Sequence, residues 1–446
     1  MKAVSRSVPR APGALPLLGH LWPLWRDTLG FVAGLRATGE LVRVDVGPMP
    51  VYFVTSAALA NDIMVRRARS FEKGRLYDRM RPALGTGLAT APTELHRKHR
   101  RLMQPMFHTA KVAQYADAIT EQARLLGESL EPGRTVPVLE VTTEFAISTL
   151  MATMFSVSTE TGRHAASVVQ RCMPVMFKYM LMRPLMPKAL DRLPIPANRA
   201  FDSATAEMSE VIYRVIANAR AQNAIDEPNL LSMLLAVRDA DTGEAFTDEE
   251  IHNELLTLFV AGVETVASTL AWAFHELAGN PEAEERLLAE IDTVVGDRPV
   301  GFEDIPKLEQ TRRVVDETMR LHAVTMLMRR TVEPVEIGGA MIPAGAEFGI
   351  SLYGIHRDPG VFDHPTRFDP DRWLPERRAE LPREAYLLFG TGARKCIGDT
   401  VALTELVITL ATVLRTRRLR PVGKAPAEAV SAMPQPVGLT MRVEAR

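Results

Sequence analysis

The stretch FGTGARKCIG at residues 389–398 places a single cysteine between glycines, directly before an apolar segment of helical character. Glycine lets the backbone approach a flat macrocycle closely, and the amides at a helix N-terminus stabilise the negative charge of a sulfur. The pattern therefore favours Cys396 as a thiolate ligand.

Two other interpretations of this stretch are open. An isolated cysteine is most often a buried structural residue. Residues 390–392 also resemble the first half of a dinucleotide-binding fingerprint, but Lys395 stands where that fingerprint has its third glycine. No strand, loop and helix unit followed by an acidic residue is evident around it, so a phosphate loop is disfavoured.

The composition of the chain limits its partners. Its 446 residues are 46% hydrophobic and 24% charged, with a formal net charge of −1, so no global field attracts nucleic acid or anionic lipid. Cys172 and Cys396 are its two cysteines, too few for a disulfide framework or a thiol zinc site. We expect a cytoplasmic monomer that acts on a small substrate, with no nucleic acid and no membrane anchor.

The organisation of the sequence indicates one continuous domain over residues 1–446, because no repeat or low-complexity linker divides it. Residues 1–25 form a Pro/Gly-rich arm whose apolar stretch is too interrupted for a signal peptide or a membrane span. A hairpin is predicted at residues 41–55, around Gly47 and Pro48. Helical periodicity then dominates, which predicts a mainly α fold with small β-sheets.

The longest predicted helix runs from about Asp248 to Ala278, with a capping box of Thr247 and Glu250 at its start. Its middle is apolar nearly all round, which predicts burial on every side. The other predicted elements are a helix near residues 308–321, strands within residues 335–349, and a helix from just after Cys396 to about Thr416.

The cysteine segment resembles the haem-binding signature of the cytochrome P450 family, Phe-x-x-Gly-x-Arg-x-Cys-x-Gly. The matching residues are Phe389, Gly392, Arg394, Cys396 and Gly398. The resemblance continues in the family's order from about Pro9 to the C-terminus. It implies the cytochrome P450 fold and haem b whose iron is held by Cys396, since a thiolate donates electron density that favours O–O cleavage.

Glu317 and Arg320 are similar to the family's Glu-x-x-Arg motif, and their i, i+3 spacing places both charges on one helix face. In isolation such a pair is usually a minor surface interaction. Together with Arg372, the resemblance implies a buried network that holds the haem-side core. The stretch after Leu321 begins with His322 and lacks the usual proline, so the chain path there is not implied.

Residues 261–265, Ala-Gly-Val-Glu-Thr, are similar to the family's oxygen-binding element. The resemblance implies that Ala261 and Gly262 let the helix pass close to the iron. It also implies that Thr265 donates a hydrogen bond to dioxygen and that Glu264 links the site to bulk protons, as the catalytic residues. The alternative is a small-residue packing contact in which Thr265 bonds back to its own helix.

His96 and Arg100 resemble the family element that grips a haem propionate. Arg329 is expected to reach a propionate as well, because its forked donors suit a carboxylate, and Arg330 is a competitor for this role. The remaining basic residues form either a solvated face or a docking patch for an acidic electron donor: Arg97, Lys98, Arg101 and Lys395.

The activity implied by the resemblance is insertion of one oxygen atom from O2 into a C–H or C=C bond. The chain ends soon after Cys396, so we expect no fused flavin or iron–sulfur module, and electrons from NAD(P)H through a separate ferredoxin and ferredoxin reductase. One rival is a peroxygenase of the same fold, which the Glu264–Thr265 pair disfavours. The other is a haem-thiolate protein that binds a ligand without turnover.

The expected substrate is a compact apolar molecule, with a terpene or terpenoid preferred over a fatty acyl or macrolide-type compound. The segments that resemblance places in the distal pocket are almost uncharged: Tyr77, Leu258, Ala261, Val324, Thr325, Met326, Leu327 and Met433. Residues 71–77 through Phe107 also look similar to actinobacterial oxidases of cyclic sesquiterpenes.

A methionine-rich lid between two helices is a further reason for this expectation. Its residues are Met173, Met176, Met180, Met182 and Met186. Such a flexible, polarizable surface adapts to a ligand without hydrogen-bonding groups, although methionines that fill ordinary core gaps are an equally open interpretation.

Overall fold

The computed structural model describes residues 7–154, 160–182, 190–191, 193–222, 229–239 and 242–446. Over these residues the fold is mainly α with small β-sheets, as predicted. The chain divides into two compact units: the first is Met1–Tyr77, Arg313–Cys396 and Glu428–Gln435, and the second is Asp78–Arg312, Ile397–Ala427 and Pro436–Arg446. That residues 1–446 act as one haem-binding domain stays a prediction.

The helices of the described residues are α1 Leu21–Arg26, α2 Thr28–Gly34, α3 Ala57–Asn61, α4 Arg75–Leu84, α5 Thr93–Met103, α6 Thr109–Ser129, α7 Val138–Met154, α8 Glu160–Met182, α9 Pro196–Ala221, α10 Leu230–Ala236, α11 Asp248–Gly279, α12 Pro281–Val294, α13 Glu309–Leu321, α14 Leu352–Ile355, α15 Pro375–Glu380 and α16 Asp399–Leu414. The strands are β1 Leu41–Val46, β2 Met49–Val54, β3 Phe71–Glu72, β4 Thr135–Pro137, β5 Leu327–Thr331, β6 Val335–Ile337, β7 Ala340–Ile342, β8 Glu347–Ile350, β9 Arg417–Pro421, β10 Ala427–Ala429, β11 Gln435–Val437 and β12 Thr440–Ala445.

The first unit contains a five-stranded sheet of order β1-β2-β8-β5-β3. The predicted hairpin is its β1–β2 pair, in register from Leu41 opposite Val54, and Gly47 turns the chain at a φ of +60°. Side chains alternate between the two faces of a strand, so Phe53 joins one buried cluster and Val54 the other. The two clusters fix the position of β5, which carries several predicted site residues.

The second unit contains α11, which packs against α7 and begins at Asp248 as predicted. The capping box is present, since the Thr247 side chain accepts a hydrogen bond from the Glu250 amide and the Glu250 carboxylate accepts one from the Thr247 amide. Of the described helices, α11 is the one long and apolar enough to cross a membrane, and 72% of its apolar window is buried inside the protein, as in a core helix.

The prediction that the middle of α11 is buried on every side was wrong. Its less buried residues include Leu258, Ala261, Gly262 and Thr265. These positions are spaced i, i+3, i+4 and i+7, so they share one helix face. The apolar composition did not reveal this, because the hydrophobicity of a residue is the same on a buried face and on a partly exposed one.

The remaining predicted elements are present with small changes in their bounds. Helix α13 begins at Glu309, and α16 begins at Asp399 and ends at Leu414. The predicted strands are β6, β7 and β8, with the β6–β7 turn at the two glycines 338 and 339, which both have positive φ.

Candidate active site

The loop that carries Cys396 is fixed by its own backbone in the first unit. Gly390 and Gly392 have φ values of +69° and +73°, which favour glycine, and a Cβ on Gly392 would lie 2.1 Å from the carbonyl oxygen of Met64. The Cys396 amide donates a hydrogen bond to the Phe389 carbonyl at 3.0 Å. The signature glycines thus have a steric reason, and the loop presents Cys396 as an exposed residue.

Glu317 is the centre of a buried charge network in the same unit. Arg320 donates to both of its carboxylate oxygens at 2.9 Å, and both side chains are 0% exposed. The Arg372 Nε lies 3.4 Å from Glu317 Oε1, and the indole of Trp373 donates to Glu317 Oε2 at 3.0 Å. A buried ion pair persists only when its remaining donors and acceptors are satisfied, so the network holds the end of α13 against residues 369–373.

Two cations, Arg329 and Lys73, contact Tyr77 in the first unit, and Arg394 is close enough to act on the charge of Lys73. Arg329 is buried on β5 and makes a side-chain hydrogen bond with Tyr77, and the Lys73 ammonium lies 4.1 Å from the centre of the Tyr77 ring. Burial lowers the pKa of Lys73 well below its usual range, and the charges of Arg329 and Arg394 lower it further. Like charges at such a place favour an anionic ligand. Sequence reasoning missed Lys73, because nothing in its neighbours marks it as different from a surface lysine.

Arg330, the competitor for the role of Arg329, has carboxylate partners within the first unit. Its guanidinium donates to Glu72 at 2.7 and 2.9 Å and lies 3.8 Å from Glu347. Neighbouring residues of a strand point to opposite faces, so Arg329 alone of the two belongs to the cation group around Tyr77.

Thr265 and Glu264 lie on α11 in the second unit. The Thr265 hydroxyl donates to the Ala261 carbonyl at 2.8 Å, which is the back-bonded geometry that the sequence leaves open. That hydrogen bond must break before Thr265 can donate elsewhere. Glu264 is buried, and the nearest neighbour of a Cβ at Gly262 would be Leu150 at 3.4 Å.

His96 and Arg100 lie on α5 in the second unit, where His96 is buried and Arg100 is half-buried. Their neighbour His99 is also buried, and its ring nitrogens lie 2.5 Å from Glu254 and 3.3 Å from Glu250. Sequence reasoning missed this contact, because the partners are more than 150 positions apart.

The predicted docking patch for an electron donor is reduced by ion pairs within the second unit. The Lys98 ammonium lies 3.2 Å from Glu244 and 3.6 Å from Glu250, and Arg101 lies 2.5 Å from Asp239. Arg97 is the most accessible, with a side chain 70% exposed beside Glu94. Lys98 and Arg101 therefore have acidic partners within the second unit, and the docking role of the patch stays a prediction.

Several predicted pocket residues meet in the first unit. The Thr325 hydroxyl donates to the Ser431 carbonyl at 3.1 Å, and its amide donates to the Ala432 carbonyl at 3.0 Å, directly before the buried Met433. Three others pack against the buried clusters of this unit: Val324, Met326 and Leu327. Tyr77 lies with the cations described above, and Leu258 lies on the less buried face of α11.

The predicted methionine lid is described only in part. Met173 and Met176 are buried in α8, which agrees with the interpretation that methionines fill core gaps. Met186 and the side chains of Met180 and Met182 lie outside the described residues.

The donor groups of the first unit fit an iron porphyrin. Among the described residues no group of three or more His, Cys, Asp or Glu side chains could hold a metal ion. An iron porphyrin needs one ligand from the protein, and its carboxylates are anions. The thiol of Cys396 and the cations around Tyr77 match these two requirements.

Comparison with known proteins decides the family, because a family model described as Cytochrome P450 matches residues 9–439. The chain belongs to the cytochrome P450 family. This P450 is 39% identical to cyclooctatin synthase of Streptomyces melanosporofaciens, over 92% of the chain and 90% of that protein. It is 35% identical to pentalenene oxygenase of Streptomyces avermitilis, over 98% of the chain and 97% of that protein.

Solved structures support the fold. The crystal structure of the cytochrome P450DA heme domain superposes with a TM-score of 0.88 at 24% identity, covering 99% of this chain and 98% of that one. The predicted P450 fold is thus confirmed. The P450 is a haem-thiolate monooxygenase that uses haem b, O2 and electrons derived from NAD(P)H through redox partners.

Proposed function

We propose that this P450 oxidises a compact terpene or terpenoid in the cytoplasm, as a monomer served by a separate ferredoxin and ferredoxin reductase. The observation that supports the substrate class is the likeness, along almost the whole chain, to cyclooctatin synthase, pentalenene oxygenase and a third relative. The third relative is the cyclooctat-9-en-7-ol 5-monooxygenase of Streptomyces melanosporofaciens, 40% identical over 92% of the chain and 89% of that protein.

Cofactor binding is assigned to residues of each unit. When bound, haem b supplies the activation of dioxygen, with electron density donated by the thiolate of Cys396. In the first unit, Arg329 and Lys73 bind propionate oxygens, and the tight loop around Gly392 holds the sulfur in place. In the second unit, His96 and Arg100 are assigned to haem binding by family resemblance alone.

This cofactor assignment is tested by the rate at which haem leaves the protein for an excess of a haem-scavenging protein. Lys73→Met is expected to release haem about tenfold faster, because a charge-assisted hydrogen bond to a propionate is lost. Lys111→Met, at an exposed position on α6, is the matched control. Equal release rates for both variants and the wild type would remove Lys73 from the assignment.

Proton delivery is assigned to α11. With the cofactor and dioxygen bound, the Thr265 hydroxyl would turn away from the Ala261 carbonyl to donate a hydrogen bond at the oxygen site, and the Glu264 carboxyl would relay protons toward that site. Thr265 is the polar residue of the less buried helix face, where Leu258 and Ala261 are apolar, and Glu264 is the buried carboxyl next to it in the sequence.

The pocket residues support an apolar substrate. The Thr325 hydroxyl is already donated to the Ser431 carbonyl, so it provides no strong donor to a ligand. The other assigned pocket residues near it are aliphatic or thioether side chains, namely Val324, Leu327 and Met433. Burial of a carboxylate or phosphate beside them is unfavourable.

The test of the substrate class is titration of the ferric P450 with cyclic terpenes and with medium-chain fatty acids, followed by the haem spin-state change. Saturable binding of a terpene, then product formation with a surrogate ferredoxin and reductase, is the expected result. Tight binding of the acids with no response to any terpene would reverse the ranking.

A further inference from the structure

We propose that His322, Tyr353 and Glu428 form a latch in the first unit that fixes residues 428–435 and thereby sets the substrate selectivity of this P450. The inference rests on the proposed function in one respect, the assignment of Thr325 and Met433 to the pocket. His322 and Tyr353 are hydrogen-bonded to Glu428, so the proposal gives the latch residues a positioning role.

The Glu428 carboxylate is held at both oxygens. The His322 Nδ1 lies 2.9 Å from Glu428 Oε1, and the Tyr353 hydroxyl donates to Oε2 at 2.8 Å. Arg357 lies 4.0 Å from the same carboxylate and stacks over the Tyr353 ring at 3.5 Å. Burial raises the pKa of Glu428, but the hydrogen bonds from His322 and Tyr353 and the nearby cations outweigh it and lower the pKa.

The latch acts on the same segment that contacts Thr325. Ser431 and Ala432 accept the two hydrogen bonds from Thr325, while Glu428 accepts that of His322. Residues 322–325, which follow α13, therefore hold residues 428–435 at two points: Glu428, and the pair Ser431 and Ala432. Met433 follows directly, so its position depends on both attachments.

The sequence explains why a side-chain latch is needed here. No proline stands between Leu321 and Thr325, so no ring restricts the backbone φ angles of this stretch. The structure describes no hydrogen bond for the Ala323 amide. With neither constraint, the path from α13 to Thr325 depends on the hydrogen bond between His322 and Glu428.

The experiment compares Glu428→Ala and Tyr353→Phe with Val430→Ser, a control in the same segment whose native side chain is 47% exposed. Both latch variants are expected to keep the thiolate-type band of the reduced carbon monoxide complex. Their terpene binding should weaken about tenfold, the effect of one hydrogen bond to a charged group, and their ratio of oxidation products should change. Glu428→Gln keeps a hydrogen-bond acceptor, so its terpene affinity and its product ratio should lie between those of Glu428→Ala and the wild type.

A second measurement separates failure of the latch from failure of the proposed function. Amide hydrogen exchange of residues 428–435 is expected to rise in Glu428→Ala and to fall again when Ala323→Pro is added, because proline supplies the missing backbone constraint. Unchanged exchange and unchanged product ratios in the latch variants would overturn the latch. A wild type that binds no terpene would overturn the substrate class instead, with the exchange result still decisive for the latch.

Discussion

Cys396 is the residue proposed to hold the haem iron, and its replacement gives the most direct test of that role. Cys396→Ser is expected to abolish the thiolate-type Soret band of the reduced carbon monoxide complex, because a neutral hydroxyl cannot replace the anionic sulfur donor. Cys172→Ser serves as the control and should leave the band intact. An unchanged spectrum for the Cys396 variant would refute the ligand assignment.

The proposed role of Thr265 in proton delivery needs a test, because its hydroxyl donates its hydrogen bond to the Ala261 carbonyl in this structure. Thr265→Ala is expected to lower product per NADH by about tenfold or more while NADH consumption continues, because the proton is no longer positioned. Thr265→Ser keeps the hydroxyl and should retain most of the coupling. If Thr265→Ala formed as much product per NADH as the wild type, a group other than Thr265 would position the proton for oxygen activation.

At the scale of elements, the loop before α5 packs closely on α11. A Cβ on Gly87 would lie 2.3 Å from the Asn253 carbonyl oxygen, and the Leu88 amide donates to the buried Glu254. Gly87→Ala is therefore expected to lower the free energy of unfolding by about 1–3 kcal/mol. Gly127→Ala on α6, where a Cβ would meet nothing within 4 Å, should instead stabilise by up to about 1 kcal/mol. Denaturant unfolding of both variants distinguishes close packing from a general effect of glycine replacement.

Helix α16 carries a carboxyl group that opposes stability at high pH. Glu405 is buried, its Oε1 has no hydrogen-bond partner among the residues that the structure describes, and burial raises its pKa to about 8. Between the ordinary pKa and this value the unfolded chain binds fewer protons than the folded one, so stability falls as pH rises through that window. Glu405→Gln should raise Tm more at pH 9 than at pH 5. An equal change at both pH values would show that Glu405 does not ionise on unfolding.

The elements also show what sequence can and cannot provide. The capping box of Thr247 and Glu250 and the turn at Gly47 are local signals, and both were predicted. Lys73 and His99 were missed, because their environments arise from residues far away in sequence. The less buried face of α11 was missed for a different reason: hydrophobicity measures preference for an apolar environment, whether protein or ligand provides it.

At the scale of the whole molecule, family membership says more about the reaction class than any single motif does. The signature around Cys396 has five matched positions, but the match over residues 9–439 is what fixes the reaction class. Substrate identity does not follow in the same way, because pocket residues vary within a fold. The relatives limit the substrate class, and the spin-state titration has to select within it.

The two thiols of the chain give a consequence for handling the protein. Cys172 is 2% exposed, and burial together with its hydrogen bond to Glu207 raises its pKa to about 11. A thiol-specific reagent reacts with the thiolate, so at neutral pH it should leave Cys172 unmodified. Colorimetric thiol titration of the native protein then counts chains in which Cys396 has no iron, which makes it a stoichiometric assay of cofactor loading for purified batches. Labelling of Cys172 in fully loaded protein would show that α8 opens on the time scale of the reaction.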